Sequence, residues 1–193
     1  MTTEGLTIAT FNCERDLWGN EKAFAEFMLE GNLHVLCLQE TGILDDKHHV
    51  RKYDKFGHKF LFNGRGESSY ATTGMILNCE LGKHVVETKR HASGRLIGVT
   101  VVLHGKRWLF VSVYMPANLA SLSKEDEKLL LAEDLAQTIL EWKLSHDNTV
   151  MGGDFNDVAR RPERINIFVE NGGCRTRNSK ARINVILHNF RNF

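Results

Sequence analysis

Apolar positions along this chain fall mostly into short runs bounded by polar or turn-forming residues. The first run, Leu6–Phe11, sets Leu6 and Ile8 against Thr7 and Thr10, close to the two-residue period of a strand with one covered face. Val35–Leu38 is apolar throughout, as a short buried strand would be. Further runs at Lys59–Phe62, Thr73–Leu77, Lys83–Lys89, Leu96–Leu103, Trp108–Val113 and Thr149–Gly152 predict more strands. Elsewhere the period changes. From about Glu21, the residues Phe24, Phe27 and Met28 fall on one helical face, with Asn20 placed to cap its start and Gly31 to end it. A long helix is predicted over Lys124–Leu144. Ser123 can cap it, and Glu125, Asp126 and Glu127 put acid in its first turn, where the helix dipole favours it. Leu131, Leu135, Ile139 and Trp142 form its apolar stripe. Arg164–Glu170 predicts a short helix closed by Gly172-Gly173. Many strands with few helices between them point to an α/β fold with mostly antiparallel pairing or a layered sandwich, not a regular doubly wound sheet.

Composition narrows the class without naming a chemistry. The 193 residues suit one domain with a sizeable core, and 42% hydrophobic with 25% charged residues is ordinary for a globular protein. The net charge of +1 lacks the basic excess of many nucleic-acid binders, which leaves a local patch or a metal as the means of holding an anionic partner. Cys13, Cys37, Cys79 and Cys174 have no metal-type spacing, and Cys37 sits inside an apolar run as a buried free thiol would; neither a disulfide framework nor a zinc site is expected. Met1–Gly5 has no signal-peptide pattern, and no apolar run approaches membrane-spanning length. An intracellular setting, nuclear or cytoplasmic and not secreted, with no membrane partner, is the expectation.

The chemistry collects where the strands end. Asn12 follows Thr7–Phe11, Glu40 follows Val35–Gln39, Tyr114 follows Phe110–Val113, and Asp154 and Asn156 follow Val150–Gly153. In extended chain, residues two apart share a side, so Asp154 and Asn156 can face one ligand. Gly152-Gly153 allows a close approach or a sharp turn. Two carboxylates, Glu40 and Asp154, suit a hard cation that keeps several waters. The amides and the phenol are neutral groups that can touch phosphate oxygens without repelling them. Singly, each is more often a turn, solvated or packing residue; together, and in this order, they say more.

Thr10-Phe11-Asn12, Leu38-Gln39-Glu40-Thr41, Val113-Tyr114-Met115-Pro116 and Gly152-Gly153-Asp154-Phe155-Asn156 resemble the successive motifs of the endonuclease/exonuclease/phosphatase superfamily. Thr73–Leu77 and Gly94-Arg95-Leu96 are similar to its central region, and the resemblance runs from about residue 6 to about residue 157. The wording is most like the endonuclease domains of LINE-type retrotransposons and the apurinic-site nucleases. The resemblance implies a two-sheet, four-layered α/β sandwich with the active site at one edge. It implies Glu40 as the principal Mg²⁺ ligand, with Mn²⁺ as a substitute, and Asn12 in the phosphate or metal network. Tyr114 would contact the scissile phosphate or leaving oxygen, Asp154 would orient or activate water, and Asn156 would donate to the phosphate. Asn118 stands near a second amide position. The implied reaction is in-line phosphodiester hydrolysis of DNA.

The family closes with an Arg-Ile-Asp strand and a Ser-Asp-His motif. Here Arg182-Ile183-Asn184 puts an amide where the Asp is expected, His188 falls too early, and nothing matches the last motif before Phe193. One domain over residues 1–193, incomplete at its C-terminal end, is therefore expected, with an acid/base apparatus weakened by orders of magnitude. Arg175–Arg182, including Arg177, offers positive charge to a nucleic-acid backbone. His48-His49 with Asp45-Asp46 reads as an exposed loop, and Gly64-Arg65-Gly66 is too short to cradle phosphate. No nucleophile-elbow signature is present. The competing readings are a Mg²⁺-dependent, retroelement-type DNA endonuclease, with a reverse transcriptase downstream in a longer polyprotein; a truncated or degenerate copy that binds without cleaving; and a phosphoesterase for a substrate other than nucleic acid. A pure binding module would lack divalent-metal affinity. The oligomeric state is not legible.

Overall fold

In a computed structural model, residues 6–17, 19–44, 56–66, 68–116 and 125–156 are described. They form eight strands and three helices: β1 (Ile8–Asn12), α1 (Glu21–Glu30), β2 (Val35–Gln39), β3 (Lys59–Asn63), β4 (Thr73–Leu77), α2 (Cys79–Gly82), β5 (Val85–Arg90), β6 (Leu96–Leu103), β7 (Lys106–Tyr114), α3 (Glu125–Lys143) and β8 (Asn148–Asp154). One sheet has the order β1-β2-β4-β3 and the other β5-β6-β7-β8. Four of the six pairings are antiparallel; β1 with β2 and β7 with β8 are parallel. Across the interface β1 lies against β8 and β2 against β7.

Three apolar clusters make four layers. Between the sheets, Ile8, Val35, Cys37, Met75 and Leu77 from one side meet Ile97, Val99, Trp108, Phe110 and Val150 from the other. The outer face of the first sheet packs Leu36, Leu38, Phe62 and Ile76 against Met28 of α1. The outer face of the second packs Leu96, Leu109, Val111 and Val113 against Leu135 and Ile139 of α3, with Leu131 and Trp142 alongside. Strands β2, β4 and the central part of β7 are thus covered on both faces, which is why they read as unbroken apolar runs. The four-layered α/β sandwich is as expected.

Several local expectations shift. The strands run further than their apolar cores, so Asn12, Tyr114 and Asp154 are final strand residues rather than loop residues. Phe27 is 42% exposed, and α1 buries Ala25 and Met28 instead. Asn20 makes no side-chain cap; its amide donates to Asp16 O. The turn α2 was not expected, and it delays β5 to Val85; Asn78 caps it by accepting from Leu81 N at 2.9 Å. The Ser123 cap, the Arg164–Glu170 helix, the His48-His49 segment, Asn118, Arg177 and Asn184 lie outside the described residues.

Candidate active site

Parallel strands that neighbour one another finish at the same edge of their sheet. β1 and β2 therefore bring Asn12 and Glu40 to one place, and β7 and β8 bring Tyr114 and Asp154 to another, in register with each other. Because β1 faces β8, the two places coincide.

One amide ties them together. Asn12 Nδ2 donates to Glu40 Oε1 at 3.1 Å and to Asp154 Oδ2 at 3.4 Å. Its own Oδ1 accepts from the backbone N–H of Glu14 at 3.0 Å, which fixes the amide with its nitrogen toward the carboxylates. Tyr114 Oη donates to the same Glu40 Oε1 at 2.6 Å. Asp154 is 4% exposed, and its Oδ1 accepts from Asn156 N at 2.9 Å. Asn156 Nδ2 donates to Met115 O at 2.6 Å, so this side chain braces the segment after β7 against the one after β8. All five candidates among the described residues, Asn12, Glu40, Tyr114, Asp154 and Asn156, share one cleft.

The backbone there is unusual. Glu40 and Asn156 take positive φ, 49° and 47°, as do Glu14 and Arg15. A left-handed conformation is costly for residues with a Cβ. At Glu40 it turns the chain out of β2 at the cleft, and Arg15 N donates to Glu40 O at 2.7 Å to hold that turn. Gly153 is needed for close approach, since a Cβ there would sit 2.0 Å from Val113 O.

Arg95, within Gly94-Arg95-Leu96, belongs to the site in a way that its own place in the sequence does not mark. Its guanidinium lies 4.8 Å from the Tyr114 ring centroid, and the two residues pair through the backbone, Tyr114 N donating to Arg95 O at 2.9 Å. Gly94, at φ 77° and with no room for a Cβ beside Ala71 O, delivers the arginine to this position; that glycine was the available signal. Burial pushes the Tyr114 phenol well above its ordinary range, and the Glu40 carboxylate adds to the shift. Tyr114 is thus a neutral hydrogen-bond donor at any pH near 7. Burial draws the Arg95 titration down, while Tyr114 and Glu40 oppose that shift. Glu14 contributes its backbone N–H to the site.

The donor set suits one kind of divalent cation and not another. Among the described residues no group of three or more His, Cys, Asp or Glu side chains converges. Mg²⁺ needs fewer: it is commonly held by one or two carboxylates and keeps its waters. Glu40 and Asp154, both within 3.4 Å of one amide nitrogen, meet that requirement. The residues fit a hard, well-hydrated ion and do not fit a thiolate- or imidazole-bound one.

The fold is similar to solved structures of AP endonucleases and a 3′ phosphatase. An AP endonuclease from Leishmania major superposes with a TM-score of 0.60 at 17% identity, covering 77% of this chain and 54% of that one. A Neisseria 3′ phosphatase, solved with a product DNA hairpin, gives 0.59 at 20%, covering 83% and 63%. An AP endonuclease from Archaeoglobus fulgidus gives 0.56 at 22%, covering 78% and 57%. The chain spans less than two thirds of the length of each. No curated protein sequence matches it. The family described as Endonuclease/Exonuclease/phosphatase matches residues 9–189, extending beyond residue 157, where the recognisable motifs run out.

Proposed function

Since the chain belongs to the endonuclease/exonuclease/phosphatase family, we propose that its cleft hydrolyses phosphodiester bonds of DNA with Mg²⁺ or Mn²⁺ as cofactor. The observation that carries the reading is the Asn12 amide donating to both Glu40 and Asp154 while Tyr114 donates to Glu40. Four strands from two sheets converge there on two carboxylates, one amide and one phenol.

Glu40 would hold the cation, with Asp154 close by; when bound, the ion offsets the charge that grows on the phosphoryl oxygens. Asp154, buried and kept in place by Asn156 N–H and the Asn12 amide, takes the proton of the attacking water. Tyr114 keeps its proton through the neutral range and donates to a phosphate or leaving oxygen. Arg95, behind the Tyr114 ring, adds a fixed positive charge where an anionic substrate must lie. Asn12 holds the two carboxylates apart and in place. Retroelement ancestry, with a reverse transcriptase elsewhere in a longer polyprotein, rests on the wording Tyr114-Met115-Pro116 and Gly152–Asp157. Asn118, Arg177 and Asn184 keep the roles given them by resemblance: substrate contact for the first two, a degenerate family position for the third.

The test is nicking of supercoiled plasmid by the purified chain with Mg²⁺ and with EDTA, beside Asp154→Ala. Metal-dependent nicking that vanishes in the variant is the expected result. A folded chain that never nicks, with either Mg²⁺ or Mn²⁺, overturns the reading in favour of a copy that binds without cleaving.

A further inference from the structure

Directly beneath the cleft lies a chain of hydrogen bonds that none of the proposed chemistry uses. Thr10 Oγ1 donates to Gln39 Oε1 at 3.0 Å, Gln39 Nε2 donates to Ser112 Oγ at 3.2 Å, and Ser112 Oγ donates to Leu38 O at 3.0 Å. All three side chains are buried, at 1%, 1% and 0% exposure. The direction of the chain is forced. A backbone carbonyl can only accept, so Ser112 must donate to Leu38 O and accept from Gln39. That turns the Gln39 nitrogen toward Ser112 and its oxygen toward Thr10, which must then donate. Only one arrangement of protons satisfies every group.

The position of this chain matters as much as its direction. Thr10 precedes Asn12 by two residues on β1, Gln39 immediately precedes Glu40 at the end of β2, and Ser112 precedes Tyr114 by two residues on β7. Residues two apart on a strand share a face. The Gln39–Ser112 and Ser112–Leu38 bonds cross from one sheet to the other at the cleft end of a largely apolar interface, where Cys37 Sγ to Val111 O at 3.7 Å is a weaker polar crossing beside them. Apolar packing resists separation of the sheets, but it tolerates small sliding. A directional bond between two buried groups does not, because any slip leaves a donor or acceptor unsatisfied.

We infer that Thr10, Gln39 and Ser112 are positioning residues that lock the two sheets in the register at which Asn12 and Glu40 of one meet Tyr114 and Asp154 of the other. The inference rests on the reading of the cleft as a phosphodiesterase site, and the strands carry it in a way that shape alone would not. Thr10→Val keeps the volume and the β-branch and removes the hydroxyl. Thr10→Ser keeps the hydroxyl and removes a methyl. A packing role predicts that Ser is the harmful change; a register role predicts that Val is.

The experiment measures two things on the full chain for wild type, Thr10→Val, Thr10→Ser and Gln39→Met. The first is the NMR signal of the Asn12 side-chain amide, assigned by its loss in Asn12→Asp, which reports the bonds to Glu40 and Asp154 without any reaction. The second is Mg²⁺-dependent plasmid nicking at a temperature where each variant is folded, with Val99→Ala as a control that loosens the same inter-sheet core without touching the hydrogen bonds. Thr10→Val and Gln39→Met are expected to average the two Asn12 amide protons and to lower kcat by about 10²-fold, the scale of a 1 Å misplacement, with KM changed by less than about threefold. Thr10→Ser and Val99→Ala should keep both the signal and most of kcat. An Asn12 amide unmoved in Thr10→Val and Gln39→Met overturns the inference. So does a kcat lost equally in Val99→Ala. If the amide responds as expected while even wild type fails to nick, the positioning role stands and the phosphodiesterase reading falls.

Discussion

The parallel and antiparallel halves of each sheet are built from similar residues and end differently. Asn12 and Asn63 show how. Both are asparagines closing a strand of the same sheet, β1 and β3. Asn63 is fully buried, and its Nδ2 donates to His91 O and Leu96 O, both at 2.8 Å. It ties the antiparallel half to the neighbouring sheet by satisfying carbonyls. Asn12 is half-buried, and its Nδ2 serves two carboxylates from two sheets. The difference follows from strand direction. Antiparallel neighbours end at opposite edges, so the residue that closes one strand sits beside the residue that opens the next, as Asn63 sits beside Thr73. Parallel neighbours end together, and two functional side chains arrive side by side.

The strongest way to break this contrast is to remove chemistry from the parallel half. Asp154→Ala should lower metal-dependent hydrolysis by at least about 10³-fold, read as the nicking rate, while the thermal midpoint stays level or rises. Next in size is Gly153→Ala, which forces a Cβ onto Val113 O at the parallel β7–β8 edge. A loss of about 3 kcal/mol in urea unfolding is expected; a loss below about 1 kcal/mol would show that the edge yields readily.

The crossed pair of asparagines sharpens the comparison. Asn12→Ala should cost about 10²-fold in rate and little stability. Asn63→Ala should cost about 2 kcal/mol in stability by stranding two buried carbonyls and leave kcat alone. Equal behaviour of the two variants would erase the distinction.

Tyr114 and His58 divide the halves by pH. Folding holds the phenol proton of Tyr114, so its contribution is complete below the ordinary phenol value of 10.0 and fades as pH climbs beyond it. In unfolding curves the gap between wild type and Tyr114→Phe should narrow above about pH 10. His58 lies just before β3, in the antiparallel half, buried and stacked on Phe56 at 6.0 Å between ring centroids. Burial lowers its titration from 6.5, so its contribution is present above that value and lost as pH falls. His58→Phe should flatten the acid limb of the stability curve slightly without moving the hydrolysis optimum.

Much of this was legible beforehand. β4 and β6 run as expected, Thr73–Leu77 and Leu96–Leu103, because burial on both faces leaves an unmistakable apolar run. The apolar stripe of α3 is seated as its spacing predicted. The five cleft residues could be named because each closes a strand, as Asn12, Tyr114 and Asp154 do, or follows one within two residues, as Glu40 and Asn156 do. What could not be read has physical reasons. A four-residue helix such as α2 is too short to show a period. Phe27 is as apolar as Phe24, and only the tilt of α1 on the sheet decides which one is exposed. The Thr10–Gln39–Ser112 bonds join residues up to 74 positions apart through Leu38, and a threonine or serine inside a strand carries no mark of what it faces. Arg95 needed the fold to bring it under Tyr114.

The division of the cleft between the two sheets also has a meaning in time. Asn12 and Glu40 are made before Tyr114 and Asp154, which come more than seventy residues after Glu40. An amino-terminal piece can complete the first sheet and still own only one carboxylate, with no partner across the gap. The assembled cleft therefore cannot accrue gradually as the polypeptide lengthens. It is complete only when β8 docks, so a growing chain lacks the full set of cleft groups until almost all of the described structure has been made.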